Sequence, residues 1–386
     1  MMSSPLAFEQ GPIRPPNEAR SLLLRLTRNC PWNHCRFCNA YKNGRFSLRP
    51  LAHIRQDILT ARAMVDEIEA LSHRLGAGGK VNDRVIGHIL NAAGHSSSFR
   101  SVALWRYYDT RACFLQDADN LVMPTDDLVA AIAYLKQRFP EIQRVTTYAR
   151  SKTVLNKSLA SLKRIRAAGL DRIHIGMESG CDAVLHLMRK GVTGDQHVAA
   201  GQRVKAAGMQ LSEYVIPGLG GQALSRPHAL ETAAVLNRID PHFIRLRTLR
   251  VPNRVPLHAD LQSKTFVMPT DDQIVAEIGL LIEHLNGIGS TVASDHFMNL
   301  LEEVRGTLPD DQGRMLAVIE RYLDLSDIDR WVYRVGRRGG RYRTLDDLTG
   351  DRKTYRNIRD LVESVRTAKG DDAVERMIVE MIDPHA

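Results

Sequence analysis

The chain has 386 residues, of which 44% are hydrophobic and 25% charged, a composition typical of a globular protein with one large core or two smaller ones. No apolar run approaches the roughly 20 residues of a membrane span, and no basic segment followed by an apolar stretch opens the chain. We therefore expect a cytoplasmic protein with no membrane partner. The formal net charge of +9 favours anionic partners such as nucleotides or nucleic acid.

The first hundred residues predict one strand and several helices. Residues 1–20, rich in proline and polar side chains, predict a loose lead-in, and the apolar run at 21–27 predicts a buried strand. Apolar residues then recur at intervals of three, four and seven between Ile54 and Leu75, the pattern of an amphipathic helix. Residues 72–110 predict a helical insertion in which three aromatic side chains lie close together, either covering a site or simply packing: Trp105, Tyr107 and Tyr108.

From residue 111 onward, predicted strands alternate with predicted helices. The strands are expected at 111–115, 144–149, 172–177, 210–216, 242–249 and 290–294. Three of the intervening helices have threonines placed as N-caps, Thr125, Thr193 and Thr270. This alternation predicts an α/β fold with parallel strands and outer helices, a partial (β/α)6-type TIM barrel over 21–300, with an open doubly wound sheet as the alternative.

After residue 300 the alternation stops, and residues 301–386 predict a mainly helical C-terminal extension. Six arginines lie close together there: Arg330, Arg334, Arg337, Arg338, Arg341 and Arg343. They are expected either to form a solvated basic face or to contact a nucleic-acid backbone. The chain contains no recognisable nucleic-acid-binding module that favours the second alternative.

Three of the five cysteines, Cys30, Cys35 and Cys38, fall within nine residues directly after the first predicted strand. An odd, sparse set of cysteines does not predict a disulfide framework, whereas closely spaced thiolates hold zinc or iron–sulfur clusters. Three ligands leave one metal position open for a cofactor or substrate. The alternative is a structural zinc site with His34 as the fourth ligand, although consecutive ligands close a tetrahedral site awkwardly.

Polar and glycine-rich motifs follow the later strands, at the barrel end where catalytic residues gather. The third strand is followed by Tyr148 and Arg150, and the second by an acidic turn containing Asp117 and Asp119. The fourth strand ends in Gly-Met-Glu-Ser-Gly, which contains the candidates Glu178 and Ser179, and a further candidate, Lys190, lies twelve residues after Glu178. The fifth strand ends in Pro-Gly-Leu-Gly-Gly, which contains the candidates Gly218 and Gly220. Singly, such residues also serve as helix caps, helix-end cations and tight turns.

The cysteine loop, with Phe37 directly before Cys38, and the ordered strand-end motifs together resemble the radical SAM superfamily over roughly residues 20–250. The resemblance is greatest to the branch that holds methylthiotransferases, coproporphyrinogen dehydrogenases and Elongator-type tRNA enzymes. The usual spacing in that family is C-x3-C-x2-C, so this C-x4-C-x2-C loop carries one extra residue.

The resemblance implies an enzyme in which the three cysteines bind a four-iron four-sulfur (4Fe-4S) cluster and S-adenosyl-L-methionine (SAM) chelates the fourth iron. A one-electron donor such as flavodoxin or ferredoxin is expected to drive cleavage of SAM to a deoxyadenosyl radical, which abstracts hydrogen from an unidentified substrate. The implied SAM contacts are Phe37 and Gly218 with Gly220 near the adenine, Asp117 or Asp119 at the ammonium and Lys190 at the carboxylate. Tyr148 and Arg150 are implied at the ribose or substrate, and Glu178 and Ser179 are implied to face SAM.

Two further features are placed to face a substrate. Asp295 and His296 follow the last predicted strand and form a candidate catalytic acid–base pair, with a surface turn or helix cap as the alternative. Arg245 and Arg247 alternate along the predicted sixth strand, where both can point inward toward an anion. The remaining cysteines, at 113 and 181, are predicted to be small buried side chains.

A different class of function stays open at this point. The alternative to the enzyme is a non-catalytic iron–sulfur or zinc protein that binds nucleic acid or a protein partner.

Overall fold

A computed structural model of the protein describes residues 6–42 and 44–382. These residues form two compact units. Unit 1 comprises the described residues up to Asn33 together with Ala40–Gly176 and Ala199–Ser212. Unit 2 comprises His34–Asn39, Met177–Val198 and the described residues from Glu213 onward.

The strand bounds are β1 Leu22–Arg25, β2 Thr27–Arg28, β3 Ser47–Leu48, β4 Ala112–Gln116, β5 Arg144–Ala149, β6 Arg172–Glu178, β7 Gln210–Val215, β8 Phe243–Leu246, β9 Thr291–Ala293 and β10 Gly306–Thr307. The seven predicted strands are present, as β1 and β4–β9, and the structure adds β2, β3 and β10. Eight of them form one sheet in the order β1-β4-β5-β6-β7-β8-β9-β10, and β2 pairs with β3 separately. Strands β6 and β7 contribute residues to both units.

The pairing is parallel between β1 and β4, β4 and β5, β5 and β6, and β8 and β9, whereas β10 runs antiparallel to β9. Leu23 of β1 lies opposite Phe114 of β4, which lies opposite Thr146 of β5. The α/β prediction is confirmed. The strand order follows the chain order without the reversal that defines a doubly wound sheet, so it matches the barrel-type prediction rather than the doubly wound alternative.

The helices surround this mostly parallel sheet. Their bounds are α1 Leu51–Arg74, α2 Asp83–Asn91, α3 Ser97–Tyr108, α4 Thr125–Arg138, α5 Ser151–Leu155, α6 Leu159–Ala167, α7 Asp182–Leu187, α8 Gly194–Ala206, α9 Ser225–Ile239, α10 Leu257–Gln262, α11 Asp271–Glu283, α12 Gln312–Leu323, α13 Asp327–Arg338, α14 Asp347–Gly350, α15 Arg352–Lys369 and α16 Asp371–Ile382. Helices α2 and α3 form the predicted insertion, and α12–α16 the predicted helical C-terminal region. Within the described ranges, no helix combines the length and apolar character needed to cross a membrane.

The threonines predicted as N-caps have that role at two of three positions. The hydroxyls of Thr193 and Thr270 accept backbone N–H bonds from the residues three positions later, and Thr270 forms a reciprocal capping box with Gln273. Thr125 is the exception. It is the first helical residue of α4, behind Pro124, so its prediction as an N-cap is wrong.

The segment predicted as a loose lead-in is tied to unit 1. Glu18 is fully buried and accepts hydrogen bonds from Ser21 at 2.6 Å and from Arg144 at 3.2 Å. Burial by itself raises the pKa of Glu18, but His174, Arg144 and Ser21 together lower it to about 2. The lead-in therefore supplies a buried, ionised anchor rather than a free end.

The aromatic group of the insertion serves packing. Trp105 is buried edge-on against Phe139, 5.7 Å between ring centroids, and the Tyr107 hydroxyl donates to Asp83 of α2 at 2.6 Å. Tyr107 and Tyr108 contact each other at 5.1 Å. These contacts all lie within unit 1, which agrees with the packing alternative for the three side chains.

The C-terminal arginines do not form a continuous solvated face. The Arg334, Arg337 and Arg338 side chains are 3%, 9% and 5% exposed, and each pairs with a carboxylate of the same chain. Arg343, by contrast, is 79% exposed. The prediction of a solvated basic face is therefore wrong for Arg334, Arg337 and Arg338, because acidic residues distant in sequence pack against these three side chains.

Candidate functional site

The cysteine loop lies between β2 and β3. Cys30, Cys35 and Cys38 are half-buried, and none of the three forms a disulfide bond. Asn29 and Asn33 have left-handed backbone angles, φ 65° and 49°, a conformation that asparagine tolerates better than most residues. The Asn33 N–H donates to the Cys30 sulfur at 3.4 Å. The loop therefore turns tightly around its first cysteine.

Asp117 anchors this loop in unit 1. Its Oδ2 accepts from Arg25 Nε at 2.6 Å and from the Asn29 backbone N–H at 3.1 Å, and its Oδ1 accepts from the Tyr41 hydroxyl at 3.3 Å. Burial raises the pKa of Asp117, although Arg25 opposes this shift. Both carboxylate oxygens are engaged by the cysteine loop and β1. The role of Asp117 at the SAM ammonium stays a prediction, and the structure adds a loop-anchoring one.

Two other residues, Tyr148 and Arg150, which were predicted to contact the SAM ribose or the substrate, also lie in unit 1. The Arg150 guanidinium stacks on the Trp32 ring of the cysteine loop, 4.9 Å from its centroid. Tyr148 contacts Phe114 and His174, at 5.3 and 5.6 Å between centroids. Asp119, the other acid of the turn, is buried, and burial raises its pKa to about 7.

The middle of the cysteine loop belongs to unit 2. The backbone N–H of Arg36 donates to the Met188 carbonyl and its carbonyl accepts from Leu257, both at 3.0 Å, while its guanidinium pairs with Asp260. Phe37 packs against a buried apolar cluster that includes Leu249. Five of the cluster's other buried members are Cys181, Val184, Met188, Leu219 and Leu257. These contacts fix the backbone at Arg36 and the side chain of Phe37, next to Cys38.

Glu178 and Lys190, predicted separately, form a pair. Lys190 Nζ donates to Glu178 Oε1 at 2.9 Å, and the Lys190 side chain is 10% exposed. Glu178 ends β6 in the left-handed region, φ 68°, an uncommon conformation for a glutamate that is found where the chain must turn sharply. The turn after β6 therefore places a buried ion pair at the carboxyl end of the strand, where a barrel site is expected.

Glu213 of β7 is a site residue that the sequence reasoning missed. It is fully buried, and neither carboxylate oxygen has a hydrogen-bond partner among the described residues. Burial and the nearby charge of Glu178 raise its pKa well above 4.5, while Lys190 opposes the shift. The available sequence signal was an acidic residue in the middle of a predicted strand, Gln-Leu-Ser-Glu-Tyr-Val.

Ser179 and the glycine-rich turn make internal contacts. The Ser179 hydroxyl is buried, lies 2.8 Å from His228 Nδ1 and accepts from the Cys181 N–H at 3.0 Å. Gly218 has φ 87°, and its N–H donates to Glu277 at 2.6 Å. A Cβ at Gly220 would lie 2.7 Å from the Leu224 carbonyl oxygen. The turn thus needs glycine for its own packing, and the predicted adenine contact stays a prediction.

Asp295 is held by arginines rather than by its neighbour His296. Arg245 and Arg247 donate to its two oxygens at 3.0 and 2.9 Å, and although burial raises its pKa, they hold that pKa below the ordinary value. Burial, with Arg247, lowers the pKa of His296 to about 4, and its Nδ1 accepts from the Met298 N–H. The anion bound by the two arginines is therefore Asp295, while the acid–base role stays a prediction.

The thiols suit an iron–sulfur cluster in their chemistry, because one loop supplies three half-buried cysteines that form no disulfide. Residues 6–42 and 44–382 contain no group of three or more histidine, cysteine or acidic side chains arranged to hold a metal ion. Burial raises the pKa of Cys113 and of Cys181, which confirms both as buried thiols rather than ready ligands.

No protein-family model and no curated protein matches this chain. Solved structures of radical SAM enzymes are similar to it. One is coproporphyrinogen III oxidase (HemN) from Escherichia coli, a radical SAM enzyme, with 15% identity and a TM-score of 0.41 over 65% of this chain and 49% of that chain.

Two further structures are similar at the same level. TsrM, a radical SAM methyltransferase from Kitasatospora setae, has 12% identity and a TM-score of 0.43 over 68% of this chain and 42% of that chain. Elp3 from the archaeon Methanocaldococcus infernus has 13% identity and a TM-score of 0.39 over 48% of each chain. This chain spans less than half of each of the three proteins. At these values the similarity assigns no activity, substrate or cofactor to it.

Proposed function

We propose that this chain is a radical SAM enzyme, in which Cys30, Cys35 and Cys38 ligate a 4Fe-4S cluster and unit 2 contributes SAM-binding residues at the ends of β6 and β7. When bound, the cluster and SAM supply the deoxyadenosyl radical that abstracts a hydrogen atom from a substrate. A one-electron donor of the flavodoxin or ferredoxin type is part of the proposal, as is action in the cytoplasm.

The observation that carries the proposal is the unpartnered carboxylate of Glu213 beside the pair formed by Lys190 and Glu178. A buried carboxyl group without hydrogen-bond donors is costly, by roughly 1–3 kcal/mol or more, unless a ligand supplies them. The two ribose hydroxyls of SAM are donors of the required kind. The Lys190 ammonium complements the SAM carboxylate. One nucleoside that carries an amino acid thus satisfies both features.

The surroundings give this site further support. Phe37 lies on a buried apolar cluster, so water is excluded on that side of the loop, and Asp117 fixes the residue before Cys30. The chain's own residues thus have three proposed tasks: to hold the loop, to exclude water and to present acceptor and donor groups to SAM.

The proposal is tested by SAM binding to the full chain with its cluster reconstituted under anaerobic conditions, measured by equilibrium dialysis with radiolabelled SAM. Lys190→Met is expected to weaken binding roughly tenfold to a hundredfold, as loss of a charged hydrogen bond does, and Glu213→Gln is expected to weaken it as well, because the carboxyl group is lost. Glu283→Gln, whose side chain is 64% exposed, is the matched control and leaves binding unchanged.

Iron content and far-UV circular dichroism establish that the variants are folded and loaded. If loaded Glu213→Gln and Lys190→Met both bind SAM as the wild type does, the assignment of this site to SAM is wrong. If the loaded wild type binds no SAM at all, the non-catalytic iron–sulfur or zinc protein becomes the better account.

A further inference from the structure

Helix α9 contacts two turns that adjoin the proposed SAM-binding residues. These are the β6 turn, residues 179–181, and the β7 turn, residues 216–221. The backbone N–H of Gly180 in the β6 turn donates to the Thr232 hydroxyl of α9 at 2.8 Å. A Cβ at Gly180 would lie 2.6 Å from the Glu231 carbonyl oxygen, so the β6 turn needs glycine there to rest directly on the helix backbone.

His228 of α9 bridges the two turns. Its Nδ1 lies 2.8 Å from the Ser179 hydroxyl oxygen in the β6 turn, and its Nε2 lies 3.0 Å from the Ile216 carbonyl oxygen in the β7 turn. The ring is buried, and all three residues belong to unit 2. One imidazole therefore joins the chain after β6 to the chain after β7.

The direction of each hydrogen bond in this bridge follows from the groups involved. The Ile216 carbonyl can only accept, so the His228 proton is on Nε2. Burial lowers the pKa of His228, although Glu277 opposes this shift, so the ring is neutral at neutral pH and its Nδ1 accepts from the Ser179 hydroxyl. The Ser179 oxygen accepts in turn from the Cys181 N–H at 3.0 Å. A continuous chain of hydrogen bonds thus runs from the β6 turn to the β7 turn.

Glu277 of α11 holds the β7 turn from another helix. Its Oε1 accepts from the Gly218 N–H at 2.6 Å and lies 3.7 Å from His228 Nε2, while its Oε2 accepts from the Ser225 hydroxyl. The Glu277 and His228 side chains are 3% and 2% exposed. Two buried side chains from two helices therefore fix the β7 turn, and neither is among the SAM-binding residues proposed above.

The two turns determine where the proposed SAM-binding residues lie. The β6 turn directly follows Glu178, which pairs with Lys190, and Glu213 lies three residues before the β7 turn. The Ile216 N–H donates to the Glu178 carbonyl at 3.0 Å, so the β7 turn begins beside the end of β6. A shift of one turn relative to the other would change the separation of Glu178 and Glu213, and misplacement of a binding group by about 1 Å is enough to weaken a site.

We propose that His228 is a positioning residue for SAM binding, a role it fulfils by tying Ser179 to Ile216. The bridge fixes the β6 turn against the β7 turn and so holds Glu178 and Glu213 at the separation that SAM requires. His228 itself contacts neither SAM nor the cluster, so its loss is expected to lower SAM affinity without lowering the iron content. This role rests on the proposed function, because it concerns the same SAM site.

Three variants remove the bridge wholly or by halves. His228→Leu removes both hydrogen bonds. His228→Gln can place an amide N–H near the position of Nε2 and so keep the Ile216 bond, whereas His228→Asn can place an amide oxygen near the position of Nδ1 and so keep the Ser179 bond. The matched control is Val332→Ala, which removes methyl groups from a fully buried position on α13 and lowers stability without removing a hydrogen bond of either turn.

The first measurement needs no SAM: hydrogen exchange of the full chain, followed by mass spectrometry of peptides that cover each turn. We expect the amides of both turns to exchange about tenfold faster in His228→Leu than in the wild type, because two hydrogen bonds are lost. His228→Gln is expected to accelerate mainly the β6 turn and His228→Asn mainly the β7 turn, whereas Val332→Ala leaves both at the wild-type rate. A folded His228→Leu protein whose turns exchange as in the wild type would overturn the proposal.

The second measurement is SAM binding to the loaded variants by equilibrium dialysis. At the iron content of the wild type, His228→Leu is expected to bind SAM about tenfold more weakly, with His228→Gln and His228→Asn between it and the wild type. Val332→Ala is expected to bind SAM as the wild type does. Wild-type affinity in loaded His228→Leu would contradict the positioning role and leave the proposed function intact. A loaded wild type that binds no SAM would contradict the proposed function and this role with it, so the two failures are distinct.

Discussion

The backbone N–H of Asn29 donates to Oδ2 of Asp117 at 3.1 Å, which fastens the residue before Cys30 to the turn that follows β4. The same carboxylate accepts from Tyr41 on the far side of the loop and from Arg25 in β1. One buried side chain therefore holds both ends of the cysteine loop in unit 1.

Replacement of Asp117 by alanine removes all three bonds and leaves the Arg25 side chain, 12% exposed, without this partner. We expect the free energy of unfolding to fall by about 3 kcal/mol and the iron bound per chain after reconstitution to fall with it. Urea unfolding and an iron assay measure the two effects. Asp126→Ala, at an aspartate 81% exposed, is the control and changes neither. Full iron loading in a folded Asp117→Ala variant would contradict the anchoring role.

Glu213 is expected to make the protein less stable as the pH rises. Its pKa in the folded chain is raised well above 4.5, so the folded state retains a proton that the unfolded chain has lost. The contribution of Glu213 to stability is therefore greatest below pH 4.5 and decreases above it, by at most about 1.4 kcal/mol per pH unit. Glu213→Gln removes this dependence, so its Tm advantage over the wild type grows from pH 5 to pH 8. A constant Tm difference across that range would show that Glu213 is not buried as a neutral acid.

His296 is expected to have the opposite effect. Its folded pKa is lowered to about 4 from 6.5, so between these values the unfolded chain binds a proton that the folded chain does not. Stability falls as the pH falls from 6.5 to 4, again by at most about 1.4 kcal/mol per pH unit for one group. Thermal melts of the wild type and His296→Gln at pH 4.5, 5.5 and 6.5 measure this. A Tm difference between the two proteins that stays the same at all three pH values would mean that the pKa of His296 is not lowered in the folded chain.

The ion pairs of the C-terminal region are expected to hold α16 in place. Glu375→Ala leaves Arg334, whose side chain is 3% exposed, without two of its short hydrogen bonds, and we expect a loss of about 3 kcal/mol of unfolding free energy. Glu363→Ala breaks an exposed pair with Arg359 and is expected to cost less than about 0.5 kcal/mol. Equal losses in the two variants, from urea titrations, would rule out a special contribution from the buried pair.

Local sequence patterns were sufficient for the order of strands and helices. Apolar runs predicted the main sheet strands, and threonines placed as N-caps predicted the starts of α8 and α11. The exception at Thr125 has a local cause, because Pro124 already occupies the capping position. Such signals depend on neighbours within a few residues, which is why they can be recognised without tertiary structure.

The site was predicted only in part, because its contacts join distant parts of the chain. Glu178 and Lys190 were both predicted, yet their pairing with each other was not, and Glu213 was overlooked inside a strand. Asp271 and Arg334, 63 residues apart, meet only in the folded protein. A sequence pattern shows that an acid or a base is present, whereas its partner depends on tertiary packing.

The central claim is that this chain cleaves SAM by one-electron reduction, and the most direct measurement is deoxyadenosine production. The full chain, reconstituted with iron and sulfide under anaerobic conditions, is incubated with SAM and dithionite, and deoxyadenosine is quantified by mass spectrometry. We predict that the wild type produces deoxyadenosine and that Cys30→Ala does not. A wild-type protein that carries a full four-iron cluster and yields no deoxyadenosine would contradict the account.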